Sequence, residues 1–219
     1  MKAAVLQKQF ESLLGGHLDW QSRPAPETVR IGISELDNAT GGLPRGCLTE
    51  IFGAASSGRT SLLVTILAAA SARQEACALV DAEDAFDPAS ASAAGVHLER
   101  LLWVRCRHNA EHALRSADLL IQGGGFGLVV MDLGDTPGAH RISLTSWFRL
   151  RRAVEHTPTV LVAVARQSHA RTCASLTLEC VRHGVEWRGS TRLLRGIRVE
   201  VMRRKPALAG ATHVLFHQW

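Results

Sequence analysis

The sequence predicts an α/β domain in which a mostly parallel, twisted sheet is flanked by helices and followed by an antiparallel, strand-rich part. Apolar runs of strand length alternate with helix-like segments over most of the chain, as in sheets covered on both faces. A glycine-rich turn joins one of these runs to a helix, a common arrangement in such folds. The last runs are separated by basic turns, which is typical of an antiparallel meander. A length of 219 residues suits one such domain.

The N-terminal segment predicts a helix and a linker outside the core. Apolar residues recur at helical spacing from Val5 to Leu14, and Pro24 and Pro26 then indicate a linker. Such a helix either docks on a neighbouring molecule or folds back on its own core. The predicted organisation is an N-terminal helix and linker over 1–27, a core over 28–181, and a basic, strand-rich extension of the same domain over 182–219.

The turn that starts at Gly53 lies between a predicted strand, Cys47–Phe52, and a helix-like run, Ser61–Leu67. Its spacing matches the P-loop pattern G-x-x-x-x-G-K-[ST], with arginine in the lysine position. The backbone amides of such a turn and the helix dipole favour a phosphate group. The candidate phosphate-binding residues are Gly53, Ser56, Ser57, Gly58, Arg59 and Thr60.

Two later strands end in carboxylates. Cys77–Val80 runs into the acidic segment Asp81–Asp84, and Leu128–Met131 runs into Asp132. Acids at the carboxyl ends of strands near a P-loop are placed to meet Mg²⁺ and water. Asp132 therefore fits the Walker B pattern, and the hydroxyl of Thr60 with the carboxylate of Asp132 is the predicted Mg²⁺ site.

The remaining segments continue the alternation. The sequence predicts a strand over 101–104, helices over 110–122 and 142–156, a strand over 159–165 that ends in Arg166-Gln167, and short strands over 176–181, 197–202 and 214–216.

Positive charge is concentrated near the C-terminus. The chain carries +5, and the stretch Arg182–Lys205 has eight basic and two acidic side chains, a net +6. Such a stretch is either a solvated surface or a face that binds nucleic acid. The candidate DNA-binding residues are Arg149, Arg152, Arg182, Arg188, Arg192, Arg195, Arg203 and Arg204.

Other classes of protein are disfavoured by the sequence. No signal peptide or membrane span is evident, which predicts a cytoplasmic protein. The five cysteines form no CxxC pair and are expected to be reduced core thiols. The segment His108–His112 matches the metalloprotease pattern H-x-x-E-H, but no third ligand is evident, so we expect an exposed helix start and no zinc.

Together these motifs resemble the RecA family. Gly42–Gly46, leading into Glu50–Gly53, is similar to that family's approach to its P-loop, and Val80–Pro88 is similar to a distinctive RecA segment. The resemblance covers roughly residues 28–205 and implies a RecA-like P-loop NTPase core that binds ATP and Mg²⁺.

The resemblance also implies roles for individual residues. Glu83 falls on the catalytic glutamate that polarises the attacking water, and Gln167 on the glutamine that senses the γ-phosphate. Arg59 departs from the family lysine: it keeps the charge but is bulkier and planar. The regions Leu133–Arg141 and Ser168–Ala174 are much shorter than RecA's two DNA-binding loops.

The basic tail around Leu194–Val201 is similar to the ImuA family of accessory proteins from bacterial mutagenesis cassettes. This implies a weak DNA-stimulated ATPase in error-prone translesion synthesis and SOS repair, associated with the nucleoid. The implied partners are single-stranded or primer–template DNA, an ImuB-like protein and an error-prone polymerase, with RecA as a further candidate. Two alternatives stay open: an inactive RecA-fold scaffold for polymerase partners, and a SulA-like division inhibitor that binds no DNA.

Overall fold

The computed structural model describes residues 25–188, 193–207 and 209–217, with the side chain of Arg188 excluded. The helix predicted before Pro24 lies outside these ranges, as does Arg192. Nowhere in them is a helix both long and apolar enough to cross a membrane.

The strands of the described residues form two sheets. In chain order they are β1 (Thr28–Val29), β2 (Leu43–Pro44), β3 (Cys47–Phe52), β4 (Cys77–Asp81), β5 (Leu101–Arg105), β6 (Leu128–Gly134), β7 (Val160–Ala165), β8 (Leu176–Arg188), β9 (Leu193–Lys205) and β10 (Thr212–His217). β1 and β2 pair with each other, and the other strands form one sheet in the order β10-β9-β8-β3-β7-β6-β4-β5.

The helices lie between the strands. They are α1 (Ser34–Thr40), α2 (Arg59–Ala72), α3 (Pro88–Ala93), α4 (Ala110–Gly123) and α5 (Leu144–Val154), with single 3₁₀ turns at Leu98–Arg100, Ala139–Arg141 and Arg171–Cys173. α1 and α3 are not predicted from the sequence because segments of 7 and 6 residues are too short to show a helical period.

The predicted α/β class is confirmed. From β8 to β5 every neighbouring pair in the sheet is parallel, whereas β8-β9 and β9-β10 are antiparallel. The predicted start of the C-terminal extension, at Arg182, lies within β8, so the core and the extension share one continuous strand.

Helices cover both faces of the sheet, so there are two apolar layers. α2 packs on one face through residues such as Leu62 and Leu67, and α4 and α5 pack on the other through Ala117 and Trp147. The residues of β4 and β7 are all buried, which explains why these strands are apolar without alternation. The two layers hold the carboxyl ends of β3, β4, β6 and β7 side by side.

Candidate functional site

The turn after β3 forms a concave backbone cradle. Ser56 and Gly58 have φ of 58° and 91°, and residues in this left-handed region orient successive amides into an anion-binding concavity. Gly58 is also the N-cap of α2, and no side chain caps the first turn of that helix. The free amides of that turn are available to an anion.

The hairpin of β8 and β9 lies directly against this cradle. A Cβ on Gly53 would lie 2.4 Å from the carbonyl oxygen of Cys180 and 2.4 Å from the Oγ of Ser57. A Cβ on Gly58 would lie 2.4 Å from Cγ2 of Val199. Glycine is therefore required at both positions by close packing, a role of the hairpin that the sequence alone did not reveal.

Ser57 offers a polar group without a protein partner. It is 2% exposed, and its hydroxyl has no hydrogen-bond partner among the described residues. A buried hydroxyl without a hydrogen-bond partner lowers the stability of the folded state, and such groups are rare in native proteins. The cradle therefore contains a donor that a phosphate oxygen would satisfy, so the residues present fit a bound phosphate.

Arg59 is folded back onto its own loop. The side chain is buried, Nη1 donates to the carbonyl oxygen of Gly53 at 2.6 Å, and Nη2 lies 3.1 Å from Oδ1 of Asp135. The positive charge predicted to meet phosphate thus already has a carboxylate partner. Asp135 was missed in the sequence, where its only signal is an acid shortly after the Walker B strand.

The residues of the acidic segment Asp81–Asp84 have different roles. Asp81 is 1% exposed and accepts hydrogen bonds from the amides of Glu83 and Phe86 at 3.1 and 3.0 Å and from the indole of Trp103 at 3.2 Å. Asp84 pairs with Arg105 at 3.2 Å. Asp81 and Asp84 therefore hold the turn, contrary to the expectation that the whole segment faces Mg²⁺ and water.

Glu83 reaches across to the end of β6. Its Oε1 accepts a hydrogen bond from the amide of Asp135 at 2.5 Å, and its carboxylate packs against Gly134. The predicted catalytic acid thus lies beside Asp135, which pairs with the P-loop arginine.

Asp132 lies opposite Asp81 in the β4–β6 register, and its Oδ1 accepts from the amide of Gly134 at 3.0 Å. Burial raises the pKa of Asp132 to about 7, with the charges of Asp81 and Glu83 adding to the rise and Arg59 opposing it. A cation beside this carboxylate would favour its ionised form.

Thr60 and Asp132 supply hard oxygen donors of the kind that Mg²⁺ prefers. Thr60 is exposed at the first turn of α2. Within the described ranges, no three His, Cys, Asp or Glu side chains are grouped to hold a metal ion. This is compatible with Mg²⁺ that keeps its waters and is shared with a nucleotide's phosphates, the usual arrangement for this ion.

Gln167 is exposed directly after β7 and lines a cavity of about 460 Å³ together with Gly53, Ala54 and Arg182. Gln167 thus shares a cavity with the P-loop and β8, whereas Glu83 follows β4.

Glu50 fixes the loop that follows Gln167. This β3 residue is 1% exposed, and it accepts from the amides of His169 and Ala170 at 2.6 and 2.7 Å and from the hydroxyl of Ser168 at 2.6 Å. Burial lowers the pKa of His169, which favours the neutral ring. Glu50 was missed as a site residue; its signal is a glutamate inside an otherwise apolar strand.

A second cavity, of about 580 Å³, opens above the cradle. Its floor is the P-loop from Ala55 to Ser61, and Asp135 lies at its edge. One wall belongs to the hairpin and consists of Arg182, Val185, Trp187, Leu194 and Ile197.

The predicted DNA-binding arginines do not form a single unpaired face. Arg149 pairs with Asp118 at 3.4 Å, Arg204 pairs with Glu179 at 2.5 Å, and Arg203 is only partly exposed. Among the predicted DNA-binding arginines, Arg152, Arg182 and Arg195 are exposed and have no ion pair within the described ranges. Arg149 and Arg152 lie on α5, whereas Arg182 and Arg195 lie on the β8–β9 hairpin.

The segment that matches H-x-x-E-H does not form one helical face. α4 begins at Ala110, so His108 lies before the helix, and the side chain of Asn109 caps it by accepting from the amides of Glu111 and His112.

Burial raises the pKa of Cys77 to about 11 and that of Cys180 to about 12, as in inert core thiols.

Comparison with known proteins gives a consistent result. Residues 6–136 match the RecA N-terminal domain family. The chain is 41% identical to RecA of Rickettsia bellii (strain RML369-C) over 108 residues, which cover 48% of this chain and 31% of that protein. It is likewise 41% identical to RecA of Deinococcus radiodurans over 114 residues, which cover 51% of this chain and 31% of that protein. The match thus spans about a third of the length of these curated relatives.

Proposed function

Because this chain belongs to the RecA family, we propose that it is an ATP- and DNA-binding accessory protein of error-prone translesion synthesis, with a weak DNA-stimulated ATPase. The observation that carries the nucleotide site is the cradle of left-handed residues with the buried, unpartnered hydroxyl of Ser57. A phosphate chain supplies the acceptors that this cradle and the first turn of α2 lack.

Each residue of the site has a distinct proposed role. The amides and hydroxyls of the P-loop bind the phosphates, and Arg59 joins them when it leaves Asp135. Thr60 and Asp132 hold Mg²⁺, which neutralises phosphate charge when bound. Glu83 orients the attacking water and accepts a proton from it. Gln167 responds to the terminal phosphate. Glu50 keeps the loop after Gln167 in place through its three hydrogen bonds.

The proposed DNA contacts come from arginines that need not break an internal ion pair. Arg182 and Arg195 lie on the hairpin beside the P-loop, which would couple DNA contact to the nucleotide site. We extend the proposal to an ImuB-like protein, an error-prone polymerase and RecA as partners, acting with single-stranded or primer–template DNA at the bacterial nucleoid.

The decisive experiment measures ATP hydrolysis with and without single-stranded DNA in the wild type and in Glu83→Gln. We expect slow turnover that rises with DNA and falls at least about 100-fold in the variant, the usual scale for losing a general base. Glutamine can still accept from the Asp135 amide, so the local fold should survive. Circular dichroism checks this.

A scaffold without turnover is the second candidate, and the pairing of Arg59 with Gly53 and Asp135 favours it. Under this alternative, neither protein hydrolyses ATP, and Glu83→Gln retains full binding to a polymerase partner. Turnover that is equal in both proteins would show that Glu83 does not orient the water.

A further inference from the structure

The β8–β9 hairpin extends beyond the strand it pairs with. The parallel ladder between β3 and β8 ends at Phe52 and Glu179, whereas β8 runs on to Arg188. The extended part lies beside the P-loop, because Cys180 packs on Gly53 and Val199 packs on Gly58.

This extension presents large apolar side chains to solvent. Trp187 is 57% exposed and Leu194 is 40% exposed, and the two are paired in the β8–β9 register. Both line the cavity of about 580 Å³ whose floor is the P-loop. Exposed apolar surface next to a polar pocket is typical of a ligand-binding site.

The cavity therefore joins two kinds of surface. Its floor has backbone amides and the Ser57 hydroxyl, which suit phosphate oxygens. The Arg59 guanidinium also lies there but is paired with Asp135, which lines the same cavity, so its charge reaches a phosphate only when that pair opens. Its hairpin wall has an indole and aliphatic side chains, which suit a flat, weakly polar ring. A nucleoside triphosphate combines these two chemistries in one molecule, and the volume falls within the usual range for such ligands.

We propose that Trp187 and Leu194 form the subsite for the base of the nucleotide whose phosphates lie in the P-loop. This inference rests on the proposed nucleotide-binding function. Stacking on an indole reads the face of a base and not its hydrogen-bonding edge, so the subsite accepts purine rings with little discrimination. ATP and GTP should therefore bind with affinities within a few-fold of each other.

The test compares a ligand that has a base with one that lacks it. Calorimetry is performed on the full chain with Mg·ATP and with magnesium tripolyphosphate, for the wild type, Trp187→Ala, Trp187→Phe and Leu194→Ala. Leu119→Ala is the matched control, because Leu119 is 70% exposed on α4 and does not line the cavity. Circular dichroism establishes that each variant is folded.

We expect Trp187→Ala to weaken ATP binding by roughly 5- to 150-fold, the range for loss of one base–aromatic stack. Tripolyphosphate binding should stay unchanged. Trp187→Phe should recover most of the loss, Leu194→Ala should show a smaller one, and Leu119→Ala should match the wild type.

Four results would overturn the inference. If Trp187→Ala binds ATP as the wild type does, the base lies elsewhere and only the phosphate site stands. If Trp187→Ala loses affinity equally for ATP and for tripolyphosphate, Trp187 has a structural role. The same conclusion follows if Trp187→Ala does not fold and Leu194→Ala binds ATP as the wild type does. A wild type that binds neither ligand would overturn the proposed function and this subsite together.

Discussion

The carboxylate of Asp132 illustrates what a single residue contributes beyond its motif. Its place in β6 could be predicted from four apolar residues followed by an acid, although the strand continues to Gly134. Its raised pKa could not, because the rise comes from burial and from Asp81 and Glu83, which belong to another strand and turn. With a folded-state pKa of about 7, the Asp132 carboxyl stays protonated up to a much higher pH in the folded protein than in the unfolded chain.

This raised pKa predicts a pH-dependent stability. Between pH 3.8 and about 7 the folded state binds the proton that the unfolded chain has lost, so the free energy of unfolding falls as pH rises through that window and levels off above it. Asp132→Asn keeps an acceptor for the Gly134 amide and removes the charge. The variant should therefore match the wild type near pH 4 and be more stable at pH 8, by up to about 4 kcal/mol.

Urea unfolding of both proteins at the two pH values, without Mg²⁺ or nucleotide, measures this difference. Glu35→Gln is a suitable control, because Glu35 is exposed on α1 and lies far along the chain from the β6 carboxylate. A stability difference between wild type and Asp132→Asn that does not change with pH would contradict the prediction.

Other residues of the site show why motifs are found more readily than their partners. The P-loop residues are contiguous, so their spacing can be recognised in the sequence. Asp135 and Glu50 act on Arg59 and on the loop after Gln167 through contacts made only by the folded sheet. The roles predicted for Glu83 and Gln167 remain predictions that rest on family resemblance.

Among the elements, the β8–β9 hairpin departs most from its predicted length. The sequence predicts strands over 176–181 and 197–202, whereas both strands have 13 residues. Charged residues interrupt the apolar pattern, and cross-strand pairing compensates for them: Arg198 lies 3.4 Å from Glu186, and His183 lies 2.9 Å from Glu200. By contrast, the predicted bounds of β3, Cys47–Phe52, are confirmed, because turn residues flank this mainly apolar run on both sides.

The packing of this hairpin on the P-loop predicts the effect of a single methyl group. In Gly53→Ala the new Cβ would overlap the backbone oxygen of Cys180, which a side-chain rotation cannot relieve. We expect the free energy of unfolding to fall by about 1–3 kcal/mol, the usual cost of overpacking. Urea denaturation measures the change.

Gly123→Ala is the matched control, because no atom lies within 4 Å of its added Cβ. It should be neutral or slightly stabilising at the end of α4. Equal stability of Gly53→Ala and the wild type would mean that the hairpin can move away from the P-loop without cost.

For the whole molecule, the structure reduces the number of arginines that are expected to contact DNA. Pairing of Arg149 and Arg204, and the partial burial of Arg203, leave Arg152, Arg182 and Arg195 as the exposed, unpaired candidates within the described ranges. With three phosphate contacts to a single strand, the log–log slope of affinity against salt is about −2, which gives a roughly 20-fold loss between about 50 and 200 mM salt.

Replacing Arg182 and Arg195 together by alanine should weaken DNA binding and reduce the slope to about −0.7, since one contact remains. Fluorescence anisotropy with a labelled oligonucleotide over a salt series gives both quantities. Arg204→Ala is the control and should leave the slope near that of the wild type. A double variant with the wild-type slope would place the DNA on another surface.

The position of β3 between β7 and β8 also determines when the proposed nucleotide site can form during synthesis. Cys47 pairs with Val160, and Thr49 pairs with Leu176, so the strand that carries the P-loop acquires both neighbours only after most of the chain has left the ribosome. Contacts of such long sequence separation form late in folding. A nascent chain that ends before β7 has the full P-loop motif but lacks both strands that pair with β3, so the proposed nucleotide site would not yet be assembled.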